Sequence, residues 1–202
     1  TQSALLEVME ESTVTVDGDR HETGRPFMVI ATQNPIEQAG TYRLPEAQLD
    51  RFLVKTTIGY PDRGALTRIL ADSANPDRSK SLNTVITAPA VAQMADLAAG
   101  NHVEDSVLDY IGALVEATRE SPDTRLGVST RGAIAMTRVA RVWAASRGRP
   151  YVLPDDIKEL AEVVWAHRLV MDPDAEFSGA TARGVITRAL EETPAPTTRL
   201  QA

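Results

Sequence analysis

Apolar residues recur at helical spacing through the larger, C-terminal part of the chain. The clearest stripe comprises Val107, Ile111, Leu114, Val115 and Thr118, which share one face of a helix with 3.6 residues per turn. The same pattern predicts helices over residues 62–73, 89–99, 104–119, 130–146, 154–169 and 181–191. From residue 62 onward, the sequence therefore indicates an all-helical unit.

The first sixty residues have a different pattern. Residues 13–16 (TVTV) are β-branched and are followed by Asp17-Gly18, which is typical of a tight hairpin turn. Residues 27–31 form a continuous apolar run, as in a parallel strand buried on both faces, and residues 52–58 predict a second strand. Short helices are predicted over residues 2–11 and 45–50.

A strand as apolar as residues 27–31 needs cover on both faces and neighbours on both edges. Two strands, a hairpin and two short helices make a poor core for it. We therefore expect the missing cover to lie upstream of Thr1 and the chain to be a fragment of a longer protein. The helical part is expected to fold by itself.

Composition and charge narrow the classes of partner. A net charge of −7, from 21 basic and 28 acidic residues, argues against a nucleic-acid or anionic-membrane partner, because such binding depends on basic patches. The chain has no cysteine and three scattered histidines, so no thiolate or histidine metal site is predicted. No apolar run reaches the roughly 20 residues that span a bilayer, and no signal peptide is visible. We expect a cytoplasmic protein.

The stretch IATQNPIEQAGTYRLPEAQLDRFL carries the first candidate chemistry. Asn34 follows the first predicted strand, and ligands of open α/β sheets bind at the carboxyl ends of strands. Its amide can hydrogen-bond a phosphate oxygen or orient a water; the alternative is a loop asparagine that satisfies nearby backbone. Arg51 lies in a short apolar segment, which suits phosphate recognition. The alternative is an ion pair with Asp50 or Glu46.

Arg131 is a second candidate for contact with phosphate. Ser129 is a good N-cap, which places Arg131 in the first turn of the helix predicted over residues 130–146. The helix dipole disfavours a cation there. An arginine is stabilised in the first helical turn if its guanidinium and the free backbone N–H groups both face an anion. The alternative for Arg131 is a solvated side chain.

The remaining arginines and aromatic residues have structural interpretations. A solvated helix face is predicted for Arg138, Arg141, Arg147 and Arg149, with a subunit contact as the alternative. Trp143 and Trp165 lie in apolar stripes and are predicted in the core. His167, beside Arg168, is predicted at a helix end, where the dipole favours a cation.

Five stretches together carry a resemblance to a known family. Three lie in the first part of the chain: QSALLEVMEESTVTVDG, PFMVIATQNPIEQAGTYRLPEAQLDRFL and IGYP. They resemble, nearly word for word, the MoxR family of AAA+ ATPases, and the match is dense over residues 2–61. A looser similarity, anchored by GVSTRGA and YVLPDDIKELA, extends to about residue 191.

The resemblance implies an α/β fold class in which half of a nucleotide-binding core is followed by a helical domain. Residues 1–60 would be the C-terminal part of an AAA+ P-loop αβα core, with the hairpin near residues 13–24 as an insert. Residues 61–192 would be the all-α helical lid, and residues 193–202 a flexible tail.

The resemblance also implies roles for the three candidate residues. Asn34 would be the sensor-1 residue, which positions the attacking water near the γ-phosphate. Arg51 would be the arginine finger, offered in trans to ATP on the neighbouring subunit. Arg131 would be the sensor-2 arginine of the lid, which reports the nucleotide state.

Members of the family are similar to ring-forming, usually hexameric, chaperone-like ATPases that remodel or mature other complexes, often with a partner that carries a von Willebrand A domain. ATP and Mg²⁺ are the implied cofactors. The 202 residues contain no G-x-x-x-x-G-K-[ST] loop and no acidic Walker B strand, which precede this region in the family. We expect the chain alone to be inactive. Arg43 is a departure, since the family loop more often has proline there.

Two alternatives from other classes stand beside the ATPase. The sequence of residues 62–191 also permits a non-catalytic helical module that binds other proteins. A DNA-binding helical domain is the weaker alternative, because the net charge is negative and no basic stripe is present.

Overall fold

The computed structural model describes residues 11–33, 45–72 and 82–197, together with Leu5, Val8 and Met9. Most of the described chain is helical. The helices are α1 (Glu46–Leu49), α2 (Arg63–Ala71), α3 (Ala88–Ala99), α4 (Asp105–Glu120), α5 (Thr130–Ser146), α6 (Pro154–Trp165), α7 (Pro173–Phe177) and α8 (Ala182–Glu192). The strands are β1 (Thr13–Val16), β2 (Asp19–Glu22), β3 (Thr124–Leu126) and β4 (Val170–Met171).

One apolar core holds the helical part together, and it is built from the predicted stripes. Side chains of α4, α5, α6 and α8 pack into it, and the largest fully buried ones are Trp165, Leu114, Met136 and Ile157. Trp143 packs against the same core from its edge, so both tryptophan predictions are confirmed. Within the described residues, no helix has the length and apolar character needed to cross a membrane.

The N-terminal hairpin is confirmed. Strands β1 and β2 pair antiparallel, with Thr13 opposite Glu22 and Val16 opposite Asp19. Asp17 and Gly18 between them both have positive φ, +53° and +92°. Two successive residues of positive φ give the type I′ turn that matches the twist of a two-residue hairpin. Helical backbone precedes the hairpin at Leu5, Val8, Met9 and Glu11, as expected for the helix at residues 2–11.

The two predicted strands of the first sixty residues are wrong for this chain. Residues 27–31 and 52–58 have no strand assignment, and Met28, Ile30 and Ile58 are 76%, 82% and 97% exposed. A strand exists only when a neighbour accepts and donates its backbone hydrogen bonds. No described residue pairs with either segment as a strand. The Lys55 N–H instead donates to Val163 O of α6, at 2.9 Å.

The predicted helices agree with the structure to within a few residues, and the sequence missed three short elements. The helix expected over residues 154–169 ends at Trp165 and continues as the 3-10 turn Ala166–Arg168. Strands β3 and β4 pair with each other, and α7 begins after Asp172, whose side chain accepts from the N–H groups of Asp174 and Ala175. The last residues of the predicted tail lie outside the described residues.

Candidate functional site

The N-terminus of α5 has the cap that the sequence predicts. Ser129 has extended backbone geometry, and its Oγ accepts a hydrogen bond from the N–H of Gly132 at 3.1 Å. Arg131 is consequently the second residue of the helix, within its first turn. The cap therefore places a guanidinium beside the positive end of the helix dipole.

Helix α4 fixes the loop that leads into this cap. Thr118 is fully buried; its Oγ1 donates to Val115 O at 2.7 Å and accepts from the Val128 N–H at 3.0 Å. Arg119 Nε donates to Val128 O at 2.9 Å. A Cβ on Gly127 would lie 2.6 Å from the backbone N and Cα of Arg119, so only glycine allows this close approach. The start of α5 is thus held by the side chains of Thr118 and Arg119 and packs closely on the backbone of α4.

The segment that carries Arg51 docks onto the same place. The Asp50 carboxylate accepts from Ser129 Oγ, 3.1 Å from each oxygen, and from Arg168 Nη1 at 2.7 Å. Glu46, the other carboxylate considered for Arg51, lies 3.4 Å from Arg125. Both acids therefore have partners in the helical part of the chain, and the contacts of Asp50 bring residue 51 to the start of α5.

A cavity of about 450 Å³ lies at this junction. The described residues that line it are Met9, Asp50, Arg51, Leu53, Arg131, Ile134, Ala135, Arg138 and Arg168. Arg51 and Arg131, which lie far apart in sequence, are thereby brought together. Among the described residues of the wall, four are arginines and one is an aspartate. Guanidinium groups bind phosphate oxygens in two-pronged geometry, and the arrangement suits an anionic, phosphate-bearing ligand.

The third predicted residue, Asn34, lies outside the described residues, whereas Arg138 is an unpredicted member of the site. Arg138 follows Arg131 by two helical turns, so both point from one face of α5 into the cavity wall. That spacing is the available signal, whereas the apolar stripe alone predicts a solvated face for Arg138.

Two other arginines of that predicted solvated face, Arg147 and Arg149, have partners within the chain. Arg149 binds both carboxylate oxygens of Asp156, at 2.9 and 2.6 Å, and this hydrogen bonding raises the pKa of the guanidinium. Arg147 bonds Glu159 at 2.9 Å and lies 4.6 Å from the centre of a Trp143 ring. Arg147 is therefore solvated as predicted and also paired, whereas Arg149 is mostly buried in an ion pair.

His167 does not act as a cationic helix end. Its Nε2 lies 2.9 Å from Phe52 O, which can only accept, so Nε2 carries the proton and donates. Burial is the main cause that lowers the pKa of His167, and the charges of Arg168 and Lys55 lower it further. The contact with Phe52 and the charge of Asp50 act in the opposite direction. The imidazole therefore joins the docked segment as a neutral donor.

The described residues offer arginines rather than a set of metal ligands. Within these ranges, no group of three His, Asp or Glu side chains is arranged to hold a metal ion. Guanidinium donors suit an anionic ligand, and any metal ion bound to that ligand would need its protein ligands outside this set of described residues.

Two families match parts of the chain. Residues 1–54 match the ATPase family associated with various cellular activities (AAA), and residues 116–189 match the AAA lid domain. The cavity wall draws residues from both matched regions.

Several known proteins are similar to the chain. It is 41% identical to the uncharacterised protein YeaC of Bacillus subtilis over 98% of this chain and 62% of YeaC. It is 36% identical to Chaperone MoxR1 of Mycobacterium tuberculosis over 96% of this chain and 54% of MoxR1. A crystal structure of a candidate ATPase from Cytophaga hutchinsonii superposes with a TM-score of 0.88 at 36% identity, over 97% of this chain and 62% of that one. The chain thus spans only a little over half the length of these relatives.

Proposed function

Because the chain belongs to the MoxR family of AAA+ ATPases, we propose that it supplies the sensor and arginine-finger half of an ATPase that remodels or matures other protein complexes. The fold class predicted from the sequence, the C-terminal half of an AAA+ core followed by a helical lid, is confirmed by the similarity to the Cytophaga ATPase candidate. The division at residue 60 stays a prediction.

One observation carries the proposal: Arg51 and Arg131 line the same cavity. Phosphoryl transfer needs positioning and neutralisation of charge rather than covalent help from the protein. Arg51, as the finger, would neutralise charge that develops on the phosphate. Arg131, as sensor 2, and Arg138 would hold phosphate oxygens from the first turns of α5. Asn34, as sensor 1, would position the attacking water.

ATP with Mg²⁺ would supply the phosphoryl group and the metal charge that screens it. The described residues fit the phosphate side of that ligand, because their donors are guanidinium groups. The 202 residues contain no phosphate-binding loop, so we propose that this chain alone neither binds ATP tightly nor hydrolyses it. Mg²⁺-dependent turnover by the 202-residue chain would contradict this.

We propose that the full-length protein assembles as a hexameric ring, in which Arg51 reaches ATP bound by the neighbouring subunit. A partner that carries a von Willebrand A domain stays a prediction from the family resemblance. A cytoplasmic location stays a prediction from the composition of the sequence. Ultracentrifugation of the full-length protein with ATP should give a hexamer; a monomer under turnover conditions would contradict the arrangement in trans.

The decisive experiment is Arg51→Ala in the full-length protein. An arginine finger contributes on the order of 10³–10⁵ to kcat, so turnover should nearly vanish while nucleotide binding is retained. Arg125→Ala is the matched control, because Arg125 is an exposed arginine that pairs with Glu46 outside the cavity. Undiminished turnover in Arg51→Ala, or equal loss of binding and turnover, would refute the assignment of Arg51. A wild-type full-length protein without ATP turnover would favour the non-catalytic helical module.

A further inference from the structure

Arg168 lies in the turn after α6, and its side chain is 1% exposed. A guanidinium has five N–H donors. Nε donates to Val164 O at 2.8 Å. Nη1 donates to the main-chain oxygen of Asp50 and, at 2.7 Å, to its carboxylate. Nη2 donates to Phe52 O at 2.7 Å and to Leu53 O at 3.3 Å. All five donors are therefore satisfied within the chain.

This accounting excludes Arg168 as a group that binds a ligand of the cavity directly. It lines the wall but has no N–H left for a phosphate oxygen, and its charge is paired with Asp50. Four of its five hydrogen bonds end on the segment of residues 50–53, whose second residue is Arg51. Arg168 therefore acts on a ligand of the cavity only through the position of that segment.

Neighbouring contacts act in the same direction. Ser129, the cap of α5, binds the same carboxylate of Asp50, and the N–H of Lys55 binds α6 at Val163 O. The segment is consequently fixed both to the helix that carries Arg131 and to the end of α6. Without the guanidinium, the main-chain oxygens of Asp50 and Leu53 would lose the donor that Arg168 supplies. Phe52 O would keep His167 Nε2 and the Asp50 carboxylate would keep Ser129 Oγ, each with one hydrogen bond fewer.

We propose that Arg168 is a positioning residue for Arg51: with Asp50 it clamps residues 50–53 to the helical lid and so sets the place of the finger beside Arg131. The inference rests on the proposed function, in which Arg51 acts on a nucleotide. A displacement of about 1 Å at a catalytic group can cost on the order of 10²-fold in rate, so the clamp matters for catalysis without touching the substrate.

Arg168→Lys in the full-length protein tests the clamp. Lysine keeps the charge but replaces the planar fork by one ammonium, which cannot reach Asp50, Phe52 and Leu53 together. We expect kcat to fall by roughly tenfold to a hundredfold, with the KM for ATP unchanged, because binding groups remain in place. In the Arg51→Ala background, Arg168→Lys should cause no further loss.

Arg149→Lys is the matched control. Arg149 also binds a buried carboxylate, that of Asp156, but makes no contact with residues 50–53. It should lower the melting temperature and leave kcat unchanged when assayed well below that temperature. If Arg168→Lys does not fold, Asp50→Asn takes its place, since it removes the charge and keeps every main-chain acceptor.

Hydrogen exchange in the 202-residue chain gives a readout independent of activity. The Lys55 amide, protected by Val163 O, should exchange faster in Arg168→Lys and not in Arg149→Lys. Unchanged exchange, or a kcat equal to that of the control, would overturn the clamp even if Arg51→Ala abolishes turnover. Full turnover in Arg51→Ala would overturn the proposed function and, with it, the positioning role of Arg168.

Discussion

Gly132 is the third residue of α5, and a side chain there would collide with two neighbours. A Cβ would lie 2.6 Å from Val128 Cγ1 and 3.1 Å from Arg168 Cδ. Ordinary carbon–carbon contacts are about 3.5–4.0 Å. Neither neighbour has room to withdraw, because Val128 is fully buried and Arg168 is held by its five hydrogen bonds. The Gly132 carbonyl is also held, since it accepts from Trp165 Nε1 at 3.0 Å.

Two opposing terms decide the effect of Gly132→Ala. Alanine is favoured over glycine in a helix by about 1 kcal/mol, and overpacking a well-filled core costs about 1–3 kcal/mol. With two short contacts against held neighbours, the cost should be at its upper end. We expect a net loss of about 1–2 kcal/mol in the free energy of unfolding, which lowers the melting temperature by about 3–6 °C for a chain of this size.

Thermal and urea unfolding followed by circular dichroism measure this. Gly112→Ala is the matched control, because Gly112 is an exposed residue inside α4 and an added Cβ would meet no neighbouring atom within 4 Å. It should gain about 1 kcal/mol from helix propensity alone. A Gly132→Ala chain that is as stable as the wild type, or that gains as the control does, would refute the packing argument.

Three further outcomes are expected. Thr118→Val leaves the buried Val128 N–H without an acceptor, so urea unfolding should show a loss of about 1–3 kcal/mol. Asp156→Ala leaves the mostly buried guanidinium of Arg149 unpaired and should cost about 3 kcal/mol by the same measurement. Stability should also fall as the pH drops below about 6.5, because burial lowers the pKa of folded His167 and the unfolded chain then binds the proton more readily. His167→Gln should flatten that part of a melting-temperature profile.

Each of these has a clear contrary result. A Thr118→Val chain of wild-type stability would mean that the Val128 N–H finds another acceptor when Thr118 Oγ1 is removed. Asp156→Ala with an unchanged urea midpoint would mean that Arg149 reaches water at no cost. An identical pH profile in His167→Gln and wild type would assign the acid sensitivity to other groups.

The helices were predictable because each carries its own signal. The stripe on α4 and the cap at Ser129 are local patterns, and the structure places both within a residue or two of the expectation. The hairpin was predictable for the same reason, since Asp17-Gly18 sets the turn by itself. Local signals of this kind need no knowledge of distant residues.

Strand pairing in the first sixty residues and the contact between Asp50 and Arg168 could not be predicted from local signals. Residues 27–31 have the composition of a strand, but pairing depends on neighbours that the local sequence does not specify. Asp50 and Arg168 are far apart in the chain, and nothing near either one indicates the other. Arg51 and Arg131 were found by family pattern and local chemistry, whereas their shared cavity follows only from the docked segment.

The way Arg168 holds its segment bears on how this region tolerates sequence drift. Its hydrogen bonds to Phe52 and Leu53 end on main-chain oxygens, which every amino acid provides. The clamp therefore does not constrain which side chains stand at positions 52 and 53. Asp50 is different, because its carboxylate is itself a partner. Among homologous sequences, positions 50 and 168 should therefore change together or not at all, while 52 and 53 vary as far as apolar packing allows.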